Sequence, residues 1–192
     1  MRIGILFAVL LISTPQAIAE ISKVIVDLPN DVDWVKVSDH SNGDSYLREW
    51  IPSGTSIEDT NWLIVEQKFP LKKKTSAKRY IKNMMKLAQS ACTDVRYNGP
   101  EKLTVEKYKT YWVRIFCAKQ HDKPYGLVTE QRVIVEGKTA FVITSELRTA
   151  PSSVAGVFTL GVNESFEAHL ERMEKSAAVA RESVRIIADP GH

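Results

Sequence analysis

The side chains best suited to chemistry in this 192-residue chain are two cysteines, four histidines and scattered carboxylates. No histidine lies at metal-ligand spacing from another, so a metal site would need separate segments to converge. The histidines are His40, His121, His169 and His192. The chain contains no nucleophile elbow, HExxH, P-loop or GxGxxG motif. We therefore predict no metal and no cofactor, and the sequence does not favour an enzyme. A hydrolase with an unrecognised carboxylate site stays open as an alternative.

Cys92 and Cys117 lie 25 positions apart. That separation excludes a CxxC redox motif, and two cysteines alone do not make a structural zinc site. In an exported chain a single pair of cysteines favours one intramolecular disulfide, with two buried free thiols as the alternative. We predict a disulfide that ties the segment ending at Cys92 to the segment carrying Cys117.

Residues 1–19 have the features of a signal peptide. A positive charge precedes an apolar run over residues 3–12, and small residues precede the expected cleavage after Ala19. The run is shorter than the roughly 20 residues that cross a bilayer, and Glu20 stands where a lipoprotein would carry cysteine. A buried N-terminal helix is the alternative. We expect residues 20–192 to form a single α+β domain, periplasmic or secreted, without a transmembrane segment.

A basic segment over residues 71–92 ends at the first cysteine. Its pattern predicts a helix that Thr75 or Ser76 can cap. At about 100° per residue its apolar side chains share one broad face, and its lysines recur every four residues on the other. The apolar face comprises Ala77, Tyr80, Ile81, Met84, Leu87, Ala88 and Ala91. The basic side chains are Lys74, Lys78, Arg79, Lys82 and Lys86. Like charges at this spacing repel, and cations near a helix N-terminus oppose the helix dipole, so local stability does not explain the pattern. It is either a solvated surface or a contact surface for an anionic partner.

Alternating and helical patterns predict a mixed fold. We predict strands before and after the basic helix and a turn over residues 98–100. We also predict a long C-terminal helix over residues 164–188, in which apolar residues recur at alternating spacings of four and three positions. Residues 20–28 are an opening strand or an ordered tail, and residues 109–110 are predicted to lie between two strands. The predicted strands cover residues 33–37, 45–51, 62–69, 93–97, 103–108, 111–118, 127–135 and 139–147. Two hairpins are expected, with turns at residues 40–44 and 136–138.

The strand over residues 111–118 places Cys117 on the same face as Val113 and Ile115. We therefore expect the basic helix to pack on that face. The order of elements predicts an α+β fold, an antiparallel sheet flanked by helices, with the long C-terminal helix packed on the sheet. Dimerisation through that helix is the alternative.

This succession of elements in an exported chain resembles the PsbP-like superfamily, including the DcrB-type periplasmic proteins. The resemblance covers the mature chain as an order of elements, and no motif carries a site residue across. Residues 49–67 (EWIPSGTSIEDTNWLIVEQ) also resemble small exported bacterial proteins. Members of the superfamily are mostly accessory or assembly factors, so the resemblance implies a non-enzymatic role.

The formal net charge of +3 falls to +2 without Arg2, so the overall charge does not indicate a nucleic-acid-binding protein. We expect an exported, non-enzymatic binding or accessory protein of the bacterial cell envelope, such as a component of a secretion or transport assembly. The basic helix would contact an acidic protein or an anionic envelope surface, and the protein would be a monomer or weak dimer. A secreted effector or virulence-type protein is the alternative.

Overall fold

A computed structural model describes residues 21–106, 108–156 and 165–188 of the chain, and the predicted signal peptide lies outside these residues. Nine strands and two helices occur within them along the chain: β1 (Ile21–Val26), β2 (Trp34–Asn42), β3 (Ser45–Pro52), β4 (Trp62–Pro70), α1 (Ala77–Ala91), β5 (Val95–Val105), β6 (Tyr108–Cys117), β7 (Gly126–Glu136), β8 (Thr139–Thr149), α2 (Phe166–Arg181) and β9 (Val184–Ala188).

Seven of the strands form one antiparallel sheet in the order β2-β3-β4-β8-β7-β6-β5. Helix α1 lies on one face, over β5, β6 and β7, and helix α2 lies on the other, chiefly over β7 and β8. Strands β1 and β9 pair antiparallel and cover the α2 face beside that helix. The predicted α+β class, an antiparallel sheet flanked by helices, is confirmed.

Each face of the sheet has its own core because side chains alternate between the two faces along every strand. Under α1, Ile81 packs with Val113, Ile115, Val133 and Val142. The face predicted for Cys117 in β6 is therefore the one that α1 covers, as the alternation indicates. On the other face the α2 core comprises Trp62, Ile64, Val128, Leu147, Met173 and Val179.

The C-terminal helix is shorter than predicted, because it ends at Arg181 and the chain then returns as β9. In β9, Val184 and Ile186 are buried while Ile187 is 45% exposed, so burial follows a period of two. Val184 and Ile187 also fit a helical spacing, and only the pairing with β1 selects the strand. The helical spacing also predicts that Phe166 and Leu170 belong to the buried stripe, and this is wrong because they are 58% and 42% exposed.

The buried face of α2 carries polar residues as well as apolar ones. His169 and Ser176 are buried, and the Ser176 hydroxyl lies 2.8 Å from the Ser145 Oγ of β8. The Ser145 Oγ also accepts a 2.9 Å hydrogen bond from Trp62 Nε1. This hydrogen-bonded cluster joins α2 to two strands, so the docking face of the helix is set by polar contacts as well as apolar ones.

The turn predicted over residues 98–100 is also wrong, since β5 continues through it with a shift of register between Asn98 and Glu101. Strand β5 is at the edge of the sheet, where a proline that lacks an N–H group costs no ladder hydrogen bond. Residues 109–110, predicted to lie between strands, are within β6. The two predicted hairpins, β2–β3 and β7–β8, are both present.

Candidate functional site

Helix α1 has a capped start, and contacts along its length and at its end join it to the sheet. At its start the Ser76 side chain accepts a 3.2 Å hydrogen bond from the Arg79 backbone N–H, which caps the helix as the sequence predicts. Along its length the Tyr97 hydroxyl of β5 donates a 2.6 Å hydrogen bond to the Met85 carbonyl, and Ile81 is fully buried. The helix begins at Ala77, so Lys74 precedes it.

The end of α1 is joined covalently to β6. Cys92 and Cys117 form a disulfide with Cα atoms 5.6 Å apart. Backbone hydrogen bonds reinforce the junction, from the Thr93 N–H to the Lys119 carbonyl and from the His121 N–H to the Ala91 carbonyl, each 2.9 Å. The basic helix is therefore a fixed part of the domain.

The basic side chains of this segment face solvent. We call Lys74, Lys78, Arg79, Lys82 and Lys86 the basic ridge. All five are exposed, and none forms an ion pair with a described residue. At about 1.5 Å of rise per residue the helical part of the ridge is about 12 Å long. The structure thus brings four of the predicted residues together on one helix, with Lys74 in the segment just before it.

The ridge does not stabilise its own helix. The first turn of α1 contains no acidic residue, and Lys78 and Arg79 stand there instead. Cations at this end oppose the helix dipole, and the spacing of four between Lys78, Lys82 and Lys86 places like charges on adjacent turns. The helix is stabilised by its buried face, its capped start and the disulfide at its end, and the side chains of the ridge remain exposed.

The other flank of α1 borders a groove of about 250 Å³. Lys82 and Leu87 are five residues apart, which places them about 140° apart around the helix. Leu87 belongs to the predicted apolar face, yet it is 60% exposed because α1 covers β5, β6 and β7 and leaves β8 largely open. We call the following set the α1 groove: Met84, Leu87, Ala88, Ala91, Cys92, Ile115, Cys117, Gln120, Leu127, Thr129, Gln131, Thr144 and Glu146.

Sequence reasoning missed the polar floor of this groove. Thr129 and Gln131 share the α1 face of β7 with the buried Val133, and Thr144 lies opposite Gln131 on β8. A signal was available in the sequence, because Gln131 alternates with the apolar Leu127, Val133 and Val135 on one face of β7. The sequence alone does not tell whether a helix covers that position.

Two buried carboxylates lie on the opposite face of the sheet, and both have cationic partners. Glu66 accepts a 2.6 Å hydrogen bond from the Tyr46 hydroxyl and lies 3.4 Å from Arg48 Nη1. Burial, followed by the contact with Glu66, raises the pKa of Tyr46. Glu130 accepts a hydrogen bond from Arg114 Nε, and burial raises the pKa of its carboxyl group against the opposing effect of Arg114. Each carboxylate is therefore paired with an arginine within the core, while Glu130 Oε2 has no hydrogen-bond partner among the described residues.

Within the described ranges no group of three or more His, Cys, Asp or Glu side chains could hold a metal ion. A membrane span needs a long apolar helix, and neither α1 nor α2 qualifies.

The fold and the site define a class of protein: an α+β domain with a basic helix fixed on one face of its sheet. No protein-family model and no curated protein matches the chain, so the resemblance to the PsbP-like superfamily stays a prediction. Among solved structures the chain is similar to LpqN of Mycobacterium tuberculosis, described as involved in cell envelope biogenesis, at 10% identity. The match covers 85% of this chain and 82% of LpqN, with a TM-score of 0.44. A similarity at this level is too low for a role to pass from one protein to the other.

Proposed function

We propose that this protein is an exported, non-enzymatic accessory protein of the bacterial envelope that binds an anionic partner through the basic ridge. The observation that carries the proposal is a set of five exposed cations without described ion-pair partners on a segment fixed to the domain. Because these cations oppose the helix dipole and repel one another, helix stability gives no reason for them. Binding of an anionic surface would explain why they are present.

The disulfide supports the exported location. Disulfides persist in oxidising compartments such as the periplasm and the extracellular medium, and they are rare in the reducing cytosol. The signal-peptide pattern of residues 1–19 is an independent sequence feature that indicates the same route.

Rigidity of the ridge supports binding as well. Helix α1, which carries Lys78, Lys82 and Lys86, is capped by Ser76, packed on the sheet and joined to β6 by the Cys92–Cys117 bond, so it is already ordered before a partner arrives. A partner then restricts only the side chains, and the entropy lost on association is smaller than for a segment that must fold on binding.

The test is a charge reversal with a matched control. In the ridge variant four lysines become glutamate: Lys74, Lys78, Lys82 and Lys86. In the control variant four exposed lysines elsewhere become glutamate, so the net charge of the two variants is equal: Lys109, Lys119, Lys123 and Lys138. Binding is measured by co-purification from envelope extracts of the native cell and by sedimentation with vesicles that contain or lack anionic lipid, across a salt series.

We expect the wild-type protein and the control variant to bind in a salt-sensitive way, and the ridge variant to lose binding. A lysine near an anionic surface contributes about 1 kcal/mol, so removal of four lowers the affinity roughly several-hundred-fold at low salt. Binding to vesicles would identify a lipid surface, and co-purification of an acidic protein without vesicle binding would identify a protein partner. If the ridge variant retains its partners at the same salt concentration, or if both variants lose binding equally, the proposal is wrong.

A further inference from the structure

The side of α1 that carries the basic ridge has no large apolar side chain exposed, and the structure describes every residue of this helix. The exposed apolar residues of α1 are Leu87 and Ala91, and Leu87 lies about 140° from Lys82 around the helix axis. The remaining exposed side chains are Lys78, Arg79, Lys82, Asn83, Lys86, Gln89 and Ser90. The ridge side therefore offers a partner positive charge and hydrogen-bonding groups.

Two classes of anionic partner need more than charge. Specific protein interfaces have a buried centre that is rich in aromatic and other apolar side chains and poor in charged ones. Helices that bind membranes insert large apolar residues below the head groups, and stable attachment takes a second signal besides a basic patch. Because the ridge side of α1 lacks such apolar residues, a partner that is recognised by charge alone fits it better.

The lysines of the ridge form a single file along the helix. Lys78, Lys82 and Lys86 follow one another at intervals of four residues, so each lies about 6 Å further along the axis and about 40° further around it. Lys74 precedes the helix at the same interval in the sequence. The ridge is thus one helix wide and presents one lysine for roughly every 6 Å of its length.

A linear phosphodiester chain carries its charges at a similar interval. With six backbone bonds in each repeat, and about 3.3–3.6 Å spanned by three bonds of an extended chain, successive charges are at most roughly 7 Å apart. Such a chain also holds condensed counterions, and their release favours binding to a row of cations. Lysine suits this contact because its ammonium group binds phosphate as a point charge on a flexible stem.

We propose that the anionic partner of the basic ridge is a linear polymer of phosphodiester units that lies along α1, with one phosphate near each of the four lysines. This inference rests on the function proposed above and names the chemistry of the partner. The exposed amides of Asn83 and Gln89 stand beside the lysines and can donate hydrogen bonds to phosphate oxygens or to hydroxyl groups of the polymer.

The probe is a series of abasic oligomers, which have a sugar–phosphate backbone and no bases. Oligomers with two, four and eight phosphodiester groups are titrated into the chain without its predicted signal peptide, and the backbone amide signals of α1 are followed by NMR. We expect the affinity to rise at least about tenfold from two to four groups, because four groups engage all the lysines of the ridge. From four to eight groups it should rise no more than about fivefold, since the longer oligomer adds positions but no further contacts.

A salt series with single variants counts the contacts. For a single-stranded polyanion the logarithm of the binding constant falls against the logarithm of salt concentration with a slope of roughly −0.7 per cation engaged, so four lysines give about −2.8. Lys82→Gln should reduce the size of this slope by about 0.7 and weaken binding of the four-unit oligomer several-fold. Lys23→Gln is the matched control, because Lys23 is exposed on β1 at the opposite face of the sheet, and it should change neither property.

Two other ligands separate this partner from the remaining anionic classes. A capped tetra-aspartate peptide has the same four charges at about half the spacing, and vesicles with anionic lipid present phosphates on a flat surface. We expect the peptide to bind at least fivefold more weakly than the four-unit oligomer. Vesicles at the same concentration of accessible phosphate should bind more weakly than the eight-unit oligomer.

The inference is wrong if the oligomers do not bind, if two and four groups bind equally, or if the peptide or the vesicles bind as tightly as the oligomer. It is also wrong if Lys82→Gln and Lys23→Gln have equal effects. If the oligomers fail to bind while the four-lysine ridge variant loses its envelope partners, this inference falls and the proposed function stands. If the ridge variant keeps its envelope partners, both fall.

Discussion

Removal of the Cys92–Cys117 disulfide should destabilise the domain by an amount that follows from the length of the loop it closes. The cysteines lie 25 positions apart in the sequence. In the chain-entropy model a loop of that length contributes about 3.5 kcal/mol to the free energy of unfolding at 25 °C. For a domain of this size 1 kcal/mol corresponds to about 2–4 °C, so the melting temperature should fall by about 7–14 °C.

The variant for this test replaces both cysteines with alanine, because both sites are buried and a serine hydroxyl would lack a partner there. The hydrogen bonds from Thr93 to Lys119 and from His121 to Ala91 remain, so we expect α1 to stay in place and the variant to fold. Urea unfolding gives the free energy, and thiol titration of the denatured wild-type protein shows whether the bond has formed. A loss of less than about 1 kcal/mol in a wild-type protein with no free thiol would refute the reasoning.

Two further predictions concern buried polar groups on the α2 face. Ser145→Ala leaves the Trp62 Nε1–H and the Ser176 hydroxyl without their partner, so we expect a loss of roughly 2–4 kcal/mol in urea unfolding. Ser176→Ala should cost less, because Ser145 can still accept from Trp62, and a larger loss for Ser176→Ala would contradict this interpretation of the cluster. Glu130 has a pKa above its ordinary value of 4.5 because of burial, so the folded state holds its proton more tightly than the unfolded state does. The free energy of unfolding should therefore fall as pH rises from about 4.5 toward the folded-state pKa. Glu130→Gln should reduce this dependence of the unfolding free energy on pH. Equal slopes for the variant and the wild-type protein between about pH 4 and 7 would count against a raised pKa.

Patterns within single elements were predicted well from the sequence. The period-two alternation of β6 placed Cys117 on the face with Val113 and Ile115, and α1 lies on that face. The Asn-Gly and Gly-Lys pairs marked the two hairpins. These predictions succeeded because each depends on a local repeat or a local backbone requirement.

Predictions failed where a segment fits both the helical and the strand period, or where contacts with a distant segment determine the structure. Val184 satisfies both a helical and an alternating pattern, and its pairing with Val26 in β1 selects the strand. Pro100 looks like a turn residue, yet an edge strand accommodates it. Leu87 looks like a core residue, yet the strand it faces is not covered by α1.

For the basic segment, the sequence by itself determined the existence of the ridge, the capped start of its helix and the cysteine at its end. These properties depend on charge spacing and side-chain type along one stretch of chain. Only the tertiary structure decided where α1 sits across the sheet, and hence that Gln131 has an acceptor without a partner beside an exposed Leu87. The reason is physical: a groove is defined by the distance between two elements, and that distance depends on how the whole sheet and helix pack together.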